Sequence, residues 1–145
     1  MHNDHDHDNE TRVSVYEYAA KVVALALHLE IIEEPDENGE VSEEDAQTLQ
    51  DIEDTRDGDT YTIGKHEYLV LTDREADEAA RERVEEIYYE CYEYTIPENL
   101  REYVDVERWT SDVLQYDGRG PQLASYDGHE REQPYYGQYY FIYKN

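Results

Sequence analysis

Residues 57–72 read DGDTYTIGKHEYLVLT, and this stretch predicts a β-hairpin. Apolar and polar residues alternate on both sides of the pair Gly64-Lys65, as they do in half-buried strands, and a two-residue turn with glycine joins antiparallel strands. The apolar positions are Tyr61, Ile63, Tyr68 and Val70. Residues 129–145, HEREQPYYGQYYFIYKN, repeat the pattern around Gly137 and predict a second hairpin.

Apolar spacing predicts four helices outside the hairpins. The first covers residues 13–32, is apolar on nearly all sides and is expected to be buried. The second begins at Ser42 and ends near Asp54, and the third begins at Thr72; both starts resemble capping boxes. The fourth follows Pro97. The apolar stripe of the third helix is Ala76, Ala80, Val84, Ile87, Cys91 and Tyr94. The buried candidates of the fourth are Leu100, Tyr103, Val104, Trp109, Val113 and Leu114.

These elements predict an α+β fold with about four helices and two β-hairpins that join in one small sheet. Each half of the chain contains two helices, an Asp-Gly pair and a hairpin, so an ααββ duplication with halves 12–71 and 72–145 is one interpretation. Residues 1–11, rich in His and Asp, are expected to form a flexible tail. Residues 12–145 are expected to form a single compact acidic domain.

The stretch YDGRGPQLASYDGHE, residues 116–130, contains Tyr-Asp-Gly twice. A phosphate loop would lead into a helix with Lys and Ser/Thr on the phosphates, which this stretch does not, so the glycines are expected to make turns. Gly118 would end the fourth helix, and Gly128 would start the last hairpin. Arg119, between two glycines, is expected either to donate to nearby carbonyls or to contact a partner.

The charge of the chain is the strongest indication of function. It has 38 Asp and Glu against 12 Lys and Arg, a net charge of −26, and residues 30–59 carry fourteen acids with Arg56 as their one base. B-DNA presents a charge every ~1.7 Å of its axis, and carboxylates three or four residues apart on a helix repeat every ~5 to 6 Å. Acidic helices side by side can therefore imitate nucleic acid. Sixteen tyrosines supply contact groups suited to a protein interface.

Several classes of function are disfavoured by the same residues. Cys91 is the only cysteine, so no intramolecular disulfide forms. Neither Cys91 nor His66 nor His129 lies in a recognisable nucleophile signature, so we expect no enzyme and no cofactor. A surface this negative is repelled by nucleic acid and anionic lipid, and the stretch AAKVVALALHLEII is too short to cross a bilayer. A location in the host cell cytoplasm, without direct nucleic-acid or membrane partners, is expected.

Two alternatives explain the acidity differently. Residues 34–45, EPDENGEVSEED, resemble part of an EF-hand calcium loop, with Asp36, Asn38, Glu40 and Asp45 as alternative metal ligands. Glu34 and Asp45 depart from the pattern at its first and last positions, and a capped helix start after an Asn-Gly turn is the favoured interpretation. Three lysines against nine arginines are also typical of salt-adapted proteins.

The segments LTDREADEAARERVEEIYYECY and IPENLREYVDVERWTSDVLQYDGRGPQLASYDGHE resemble a group of small acidic phage-type proteins of mostly unknown function. Those proteins carry a similar Asp-Gly-Arg-Gly and Tyr-Asp-Gly-x-Glu end before a Tyr-rich terminal strand. Residues 103–113, YVDVERWTSDV, are similar to a stretch of the ArdA antirestriction family, with Thr110-Ser111 in place of that family's Arg. The resemblances imply a protein of mobile genetic elements.

We therefore expect an acidic nucleic-acid mimic that inhibits a host defence complex, by anti-CRISPR or antirestriction action, through a basic DNA- or RNA-binding groove. A calcium-binding or salt-adapted regulatory module is the alternative, and a homodimer is compatible with the sequence. The expected partner-binding residues are carboxylates of residues 30–59 and of the third helix: Glu33, Glu34, Asp36, Glu37, Glu40, Glu43, Glu44, Asp51, Asp54, Glu78, Glu82 and Glu86.

Overall fold

A computed structural model describes residues 11–145, so the predicted tail lies outside the described residues except for Thr11. The strands are β1 (Arg12–Ser14), β2 (Glu40–Ser42), β3 (Thr60–Ile63), β4 (His66–Thr72), β5 (Arg131–Tyr135) and β6 (Gln138–Lys144). The α-helices are α1 (Ala20–His28), α2 (Glu43–Asp54), α3 (Asp73–Ile87), α4 (Val106–Asp117) and the short α5 (Gly120–Leu123). The predicted α+β fold is confirmed.

The two predicted hairpins form one antiparallel sheet with the strand order β3-β4-β6-β5. Their turns lie at Gly64-Lys65 and at Tyr136-Gly137, and β4 pairs with β6 so that Val70 lies opposite Ile142. Each hairpin places its second strand at the centre and its first at an edge. This symmetric arrangement is the one that an ααββ duplication would produce. Strands β1 and β2 form a separate two-stranded sheet.

Helices cover both faces of the four-stranded sheet because side chains alternate along each strand. On one face α1 and α2 pack over Tyr61, Tyr68, Val70, Tyr140 and Ile142. On the other face α3 and α5 contribute Ala76 and Leu123 to a smaller cluster with Leu71, Phe141 and Tyr143. The sheet therefore separates the layer that contains α2 from the layer that contains α3.

The first helix is shorter than predicted, since it begins at Ala20 and not at Val13. Val13 lies in β1 opposite Val41 of β2, and a 3-10 turn, Val15–Glu17, follows. The prediction of a buried helix is confirmed between Ala20 and His28, where every side chain from residue 22 to residue 26 is buried. The helix ends at His28 and not at Ile32, because Glu30 has a φ of 57°, which an α-helix does not contain. Because residues 13–32 have no polar face, the spacing of their apolar residues could not show where β1 ends and α1 begins.

Both predicted helix starts are capped. The Oγ of Ser42 accepts the N–H of Asp45 at 3.1 Å. The Oγ1 of Thr72 accepts the N–H of Glu75, whose carboxylate accepts the N–H of Thr72, so α3 begins with a complete capping box. At α2 the exchange is not reciprocal, because Asp45 accepts a different backbone N–H.

A π-helical turn, Tyr88–Tyr92, follows α3 and changes which side chains face the protein. Tyr88 is buried, whereas Cys91 and Tyr94 are exposed. A regular α-helix would have carried the apolar stripe on to Cys91 and Tyr94, but one extra residue rotates the later positions by about 100°. The prediction that Cys91 and Tyr94 belong to the apolar stripe is therefore wrong.

The region between the π-turn and α4 is also less buried than predicted. Leu100 and Tyr103 lie on a 3-10 helix, Glu98–Tyr103, and both are exposed. Trp109 and Val113 of α4 are partly buried, and the fully buried residue of this helix is Thr110, which the sequence did not indicate.

We expect Thr110→Val to stabilise the protein by about 1 kcal/mol. The Thr110 hydroxyl is fully buried and has no hydrogen-bond partner among residues 11–145, so its desolvation is uncompensated. Valine keeps the shape and removes the polar atom. Urea unfolding monitored by circular dichroism measures the change. Thr110→Ser, which keeps the hydroxyl and loses a methyl group, should be destabilising; a loss of stability in the valine variant would mean that the hydroxyl has a partner in solution.

Candidate protein-binding surface

The predicted partner-binding carboxylates do not form one surface. Those from Glu33 to Asp54 belong to α2 and the chain before it, whereas Glu78, Glu82 and Glu86 belong to α3. Because α2 and α3 pack on opposite faces of the sheet, the two sets point to opposite sides of the molecule. The expectation that acidic helices lie side by side is therefore wrong for this pair.

Helix α2 carries the predicted carboxylates on its solvent side. Its apolar residues Ala46, Leu49 and Ile52 are buried in the core. We define the acidic ridge as the exposed carboxylates of this helix and of the adjoining turn: Glu33, Glu34, Glu43, Glu44, Asp51 and Asp54. Their spacing follows from the helical period, since residues three, four and seven apart share a face.

Two glutamines hold part of the acidic ridge in position. Gln47 donates from its amide nitrogen to a carboxylate oxygen of Asp51, and Gln50 does the same to Asp54, both at 2.8 Å. These i, i+4 bonds leave the second oxygen of each carboxylate available to an outside donor. The sequence contained this signal at the right spacing, although the prediction concerned only the acidic residues.

The chain before α2 adds charge at the start of the helix. The N–H of Glu33 donates to Asp45 Oδ2 at 3.0 Å, which brings Glu33 and Glu34 next to the first turn of α2. Glu43 and Glu44 lie in the same turn. The positive end of the helix dipole favours negative groups here, so carboxylates can gather with a reduced electrostatic cost.

Counter-ions distinguish the two acidic helices. No lysine or arginine lies between residues 31 and 55, and none of the described residues forms a salt bridge with the acidic ridge. On α3 three arginines are paired internally: Arg74 with Glu78 at 3.2 Å, Arg81 with Asp77 at 3.1 Å and Arg83 with Glu86 at 3.4 Å. Of these two helices, α2 therefore carries more of the negative charge that has no internal partner.

Two of the four predicted calcium ligands, Asp36 and Asp45, use their carboxylates within the protein. Asp36 Oδ1 accepts the N–H groups of Glu40 and Asn38, and its other oxygen lies 3.5 Å from Arg12. These backbone hydrogen bonds, that of Glu40 first, lower the pKa of Asp36. Within residues 11–145 no three His, Cys, Asp or Glu side chains are placed to hold a metal ion. The calcium site stays a prediction, and the carboxylates of Asp36 and Asp45 accept backbone N–H groups of the chain before α2.

Comparison with protein-family models, with curated proteins and with solved structures finds no match for this chain. The resemblance to phage-type proteins and to the ArdA family therefore stays a prediction. Among the described residues, no helix combines the length and the apolar character that crossing a bilayer requires.

Proposed function

We propose that this protein is a non-enzymatic inhibitor that occupies the basic nucleic-acid-binding groove of a host defence complex, either a CRISPR effector or a restriction enzyme. The observation that carries the proposal is the acidic ridge, an exposed and ordered row of carboxylates without internal counter-ions. Its partner would be a basic nucleic-acid-binding protein in the host cell cytoplasm, and the mechanism would be competition with the nucleic acid.

The geometry of the acidic ridge suits part of a phosphate backbone. Glu43 and Asp54 are eleven residues apart, which corresponds to about 16 Å along a helix axis, and Glu44 and Asp51 are about 10 Å apart. B-DNA has more charges over the same length, about one per 3.4 Å on each strand. Four carboxylates lie together at the start of α2 and raise the local density of negative charge toward that of a phosphate backbone: Glu33, Glu34, Glu43 and Glu44.

The net charge of −26 supports fast association with a positive groove. Long-range attraction of this kind raises association rates and falls with ionic strength. If the acidic residues served only solubility in salt, basic residues would not need to be absent from α2 while carboxylates of α3 are paired with arginines. The difference between the helices therefore favours a binding role for α2 over the salt-adapted alternative.

The first experiment is capture of the partner from a host lysate with mass-spectrometric identification, followed by binding measurements on the purified pair. We expect the variant Glu43→Gln, Glu44→Gln, Asp51→Asn and Asp54→Asn to bind that partner about 10- to 100-fold more weakly at physiological salt, since each exposed ion pair contributes roughly 0.2–1 kcal/mol. Its salt dependence should also be shallower. Circular dichroism should show an unchanged or more stable fold, because self-repulsion is reduced.

A matched control removes the same charge from α3 through Asp77→Asn, Glu78→Gln, Glu82→Gln and Glu86→Gln. This variant should bind within about threefold of the parent, because these positions lie on the other side of the sheet and three of them already have internal arginine partners. Equal losses in the two variants would mean that total charge, and not the acidic ridge, determines binding. Unchanged binding in the α2 variant would contradict the proposal.

A further inference from the structure

A second surface of different chemistry lies beyond the π-turn, on the α3 side of the sheet. Large side chains there are between 47% and 89% exposed, and we define them as the tyrosine surface: Tyr89, Tyr92, Tyr94, Leu100, Tyr103 and Tyr116. Tyrosine is enriched at protein interfaces because it combines a large apolar ring with a polar end. Exposed large apolar side chains on neighbouring elements are typical of a contact region.

The tyrosine surface is anchored to the core through Trp109. The ring of Trp109 lies 5.3 Å from that of Tyr88 and 5.5 Å from that of Tyr92, and Tyr88 lies 5.1 Å from Tyr89. The π-turn makes these contacts possible, because the N–H of Glu93 donates to the Tyr88 carbonyl and the widened turn carries Tyr92 to α4. Tyr89 and Tyr92 are therefore held in place by ring contacts with Tyr88 and Trp109.

A groove of about 190 Å³ opens between α3 and α4 beside Trp109. Its apolar walls include Val84 and Ile87, its aromatic walls are Tyr92 and Trp109, and Asp117 lies at its border. Among the described residues Asp117 has no salt-bridge partner. Aliphatic and aromatic walls with one carboxylate match a long cationic side chain, whose stem is apolar and whose end is charged.

The residues around the groove are mostly negatively charged, as expected for a site that binds a cationic side chain. Residues 88–117 contain eight acidic and two basic residues. One of the two, Arg101, already lies over the ring of Tyr94, with its guanidinium carbon 5.5 Å from the ring centroid. The protein thus uses its own arginine against a tyrosine face here, and Tyr89, Tyr92 and Tyr103 keep exposed rings.

We propose that the tyrosine surface binds a lysine- or arginine-rich segment of a partner protein, with one cationic side chain in the Trp109 groove and its charged end at Asp117. The net charge of each candidate partner determines which of them this surface can bind. A second copy of the chain carries the same net charge of −26 and nucleic acid is also negative, so both are repelled. This surface lies across the sheet from the acidic ridge and does not depend on it.

The chain supplies its own probe, since Trp109 is its only tryptophan. We expect a capped octa-arginine peptide to change the Trp109 fluorescence in a saturable way at physiological salt. The same peptide with citrulline in place of arginine, which has nearly the same shape and no charge, should leave the fluorescence unchanged. Asp117→Asn and Tyr92→Ala should each weaken peptide binding by about three- to fivefold, as expected for one exposed ion pair or one exposed cation–π contact.

Glu17→Gln is the matched control because it removes one exposed charge from the other side of the sheet, in the 3-10 turn before α1, and lies outside the acidic ridge. Its peptide affinity should stay within about twofold of the parent. Equal weakening by Asp117→Asn and Glu17→Gln, or no change in Trp109 fluorescence, would overturn the proposal. A dimer in sedimentation equilibrium that Tyr92→Ala abolishes would assign the surface to a second copy and would also overturn it. If the α2 variant binds the captured partner as well as the parent does, the proposed function is contradicted, but the Trp109 measurement is unaffected. The two proposals can therefore fail separately.

Discussion

Gly120→Ala is expected to lower the free energy of unfolding by about 3 kcal/mol, which corresponds to a loss of roughly 10 °C in melting temperature, and Gly120→Val by more. A β-carbon at Gly120 would lie 2.3 Å from the carbonyl oxygen of Gly128 and 3.1 Å from the N–H nitrogen of Glu130. Both are backbone atoms, so no side-chain rotation relieves the overlap. The two Asp-Gly turns must move apart to make room for the methyl group.

Hydrogen bonds around Gly120 make that movement costly. The N–H of Ala124 donates to the Gly120 carbonyl, and the N–H of Gly128 donates to the Ala124 carbonyl, both at 2.8 Å. Helix α5 and the second turn are thus joined through the residues that a methyl group would separate. Thermal unfolding followed by circular dichroism measures the loss.

Gly64→Ala is the matched control. Gly64 lies in the turn between β3 and β4 and has a φ of 62° with no atom within 4 Å of the added carbon, so alanine there meets only backbone strain, about 1–2 kcal/mol. Gly120 needs no left-handed conformation; its requirement is the close approach alone. If Gly64→Ala and Gly120→Ala lose equal stability, the close approach is not the cause.

Arg119→Ala is expected to cost about 2 kcal/mol, below the range for breaking a buried ion pair, because the Asp73 and Glu130 side chains are 77% and 30% exposed. Its Nη1 donates to the carbonyl oxygen of Asp73 at 3.0 Å and to Asp73 Oδ1 at 2.9 Å, and its Nε donates to Glu130 Oε1 at 2.8 Å. The guanidinium carbon lies 4.8 Å from the centroid of the Phe141 ring. The arginine side chain is only 15% exposed.

The surroundings of Arg119 explain the size of this effect. Burial acts to lower the pKa of Arg119, but hydrogen bonds to Glu130 and Asp73 outweigh it and raise the pKa, so the charge is held firmly. Tyr143 also donates its hydroxyl to Glu130. Without the arginine, the Glu130 carboxylate would remain beside the buried Tyr143 with no counter-ion, and the polar link between Asp73 of α3 and Glu130 would be lost.

Arg74→Ala provides the comparison, because the Arg74 side chain is 90% exposed and pairs only with Glu78 one turn along α3. Its loss should be below about 0.5 kcal/mol. Arg119→Lys, which keeps the charge but not the forked donors, should lie between the two. If Arg119→Ala loses the partner while its melting temperature stays unchanged, the residue belongs to a binding interface and this structural role is wrong.

The hairpins were the most predictable part of the fold because their signals are local. Alternating side chains and the glycine turns at Gly64 and Gly137 lie within a few residues of the pairs that they determine. The caps at Ser42 and Thr72 are equally local, and both were predicted. The start of α1 was not, because Val13 is drawn into a strand by Val41, a residue far along the chain.

The candidate surface could be predicted in composition but not in arrangement. The carboxylates of α2 are exposed, as expected, yet which side of the sheet each helix covers depends on contacts between distant segments. Lys21, for example, donates to Asp59 and Glu75 at 2.8 Å each, and no sequence pattern pairs these residues. The π-turn after α3 was missed for another reason. The spacing of the apolar residues fits a regular α-helix through Cys91, and nothing in that spacing indicates that the turn Tyr88–Tyr92 contains one additional residue.

The pairing of β4 with β6 also constrains the order of events during synthesis. Val70 meets Ile142, so the first hairpin emerges from the ribosome long before its neighbour in the sheet. Until then the inner edge of β4, with Val70 and Leu71, is an unpaired apolar strand, which is the kind of edge that associates with other chains. Residues 30–59, which are made just before this hairpin, are strongly negative, and we expect their mutual repulsion to keep nascent copies apart during that interval.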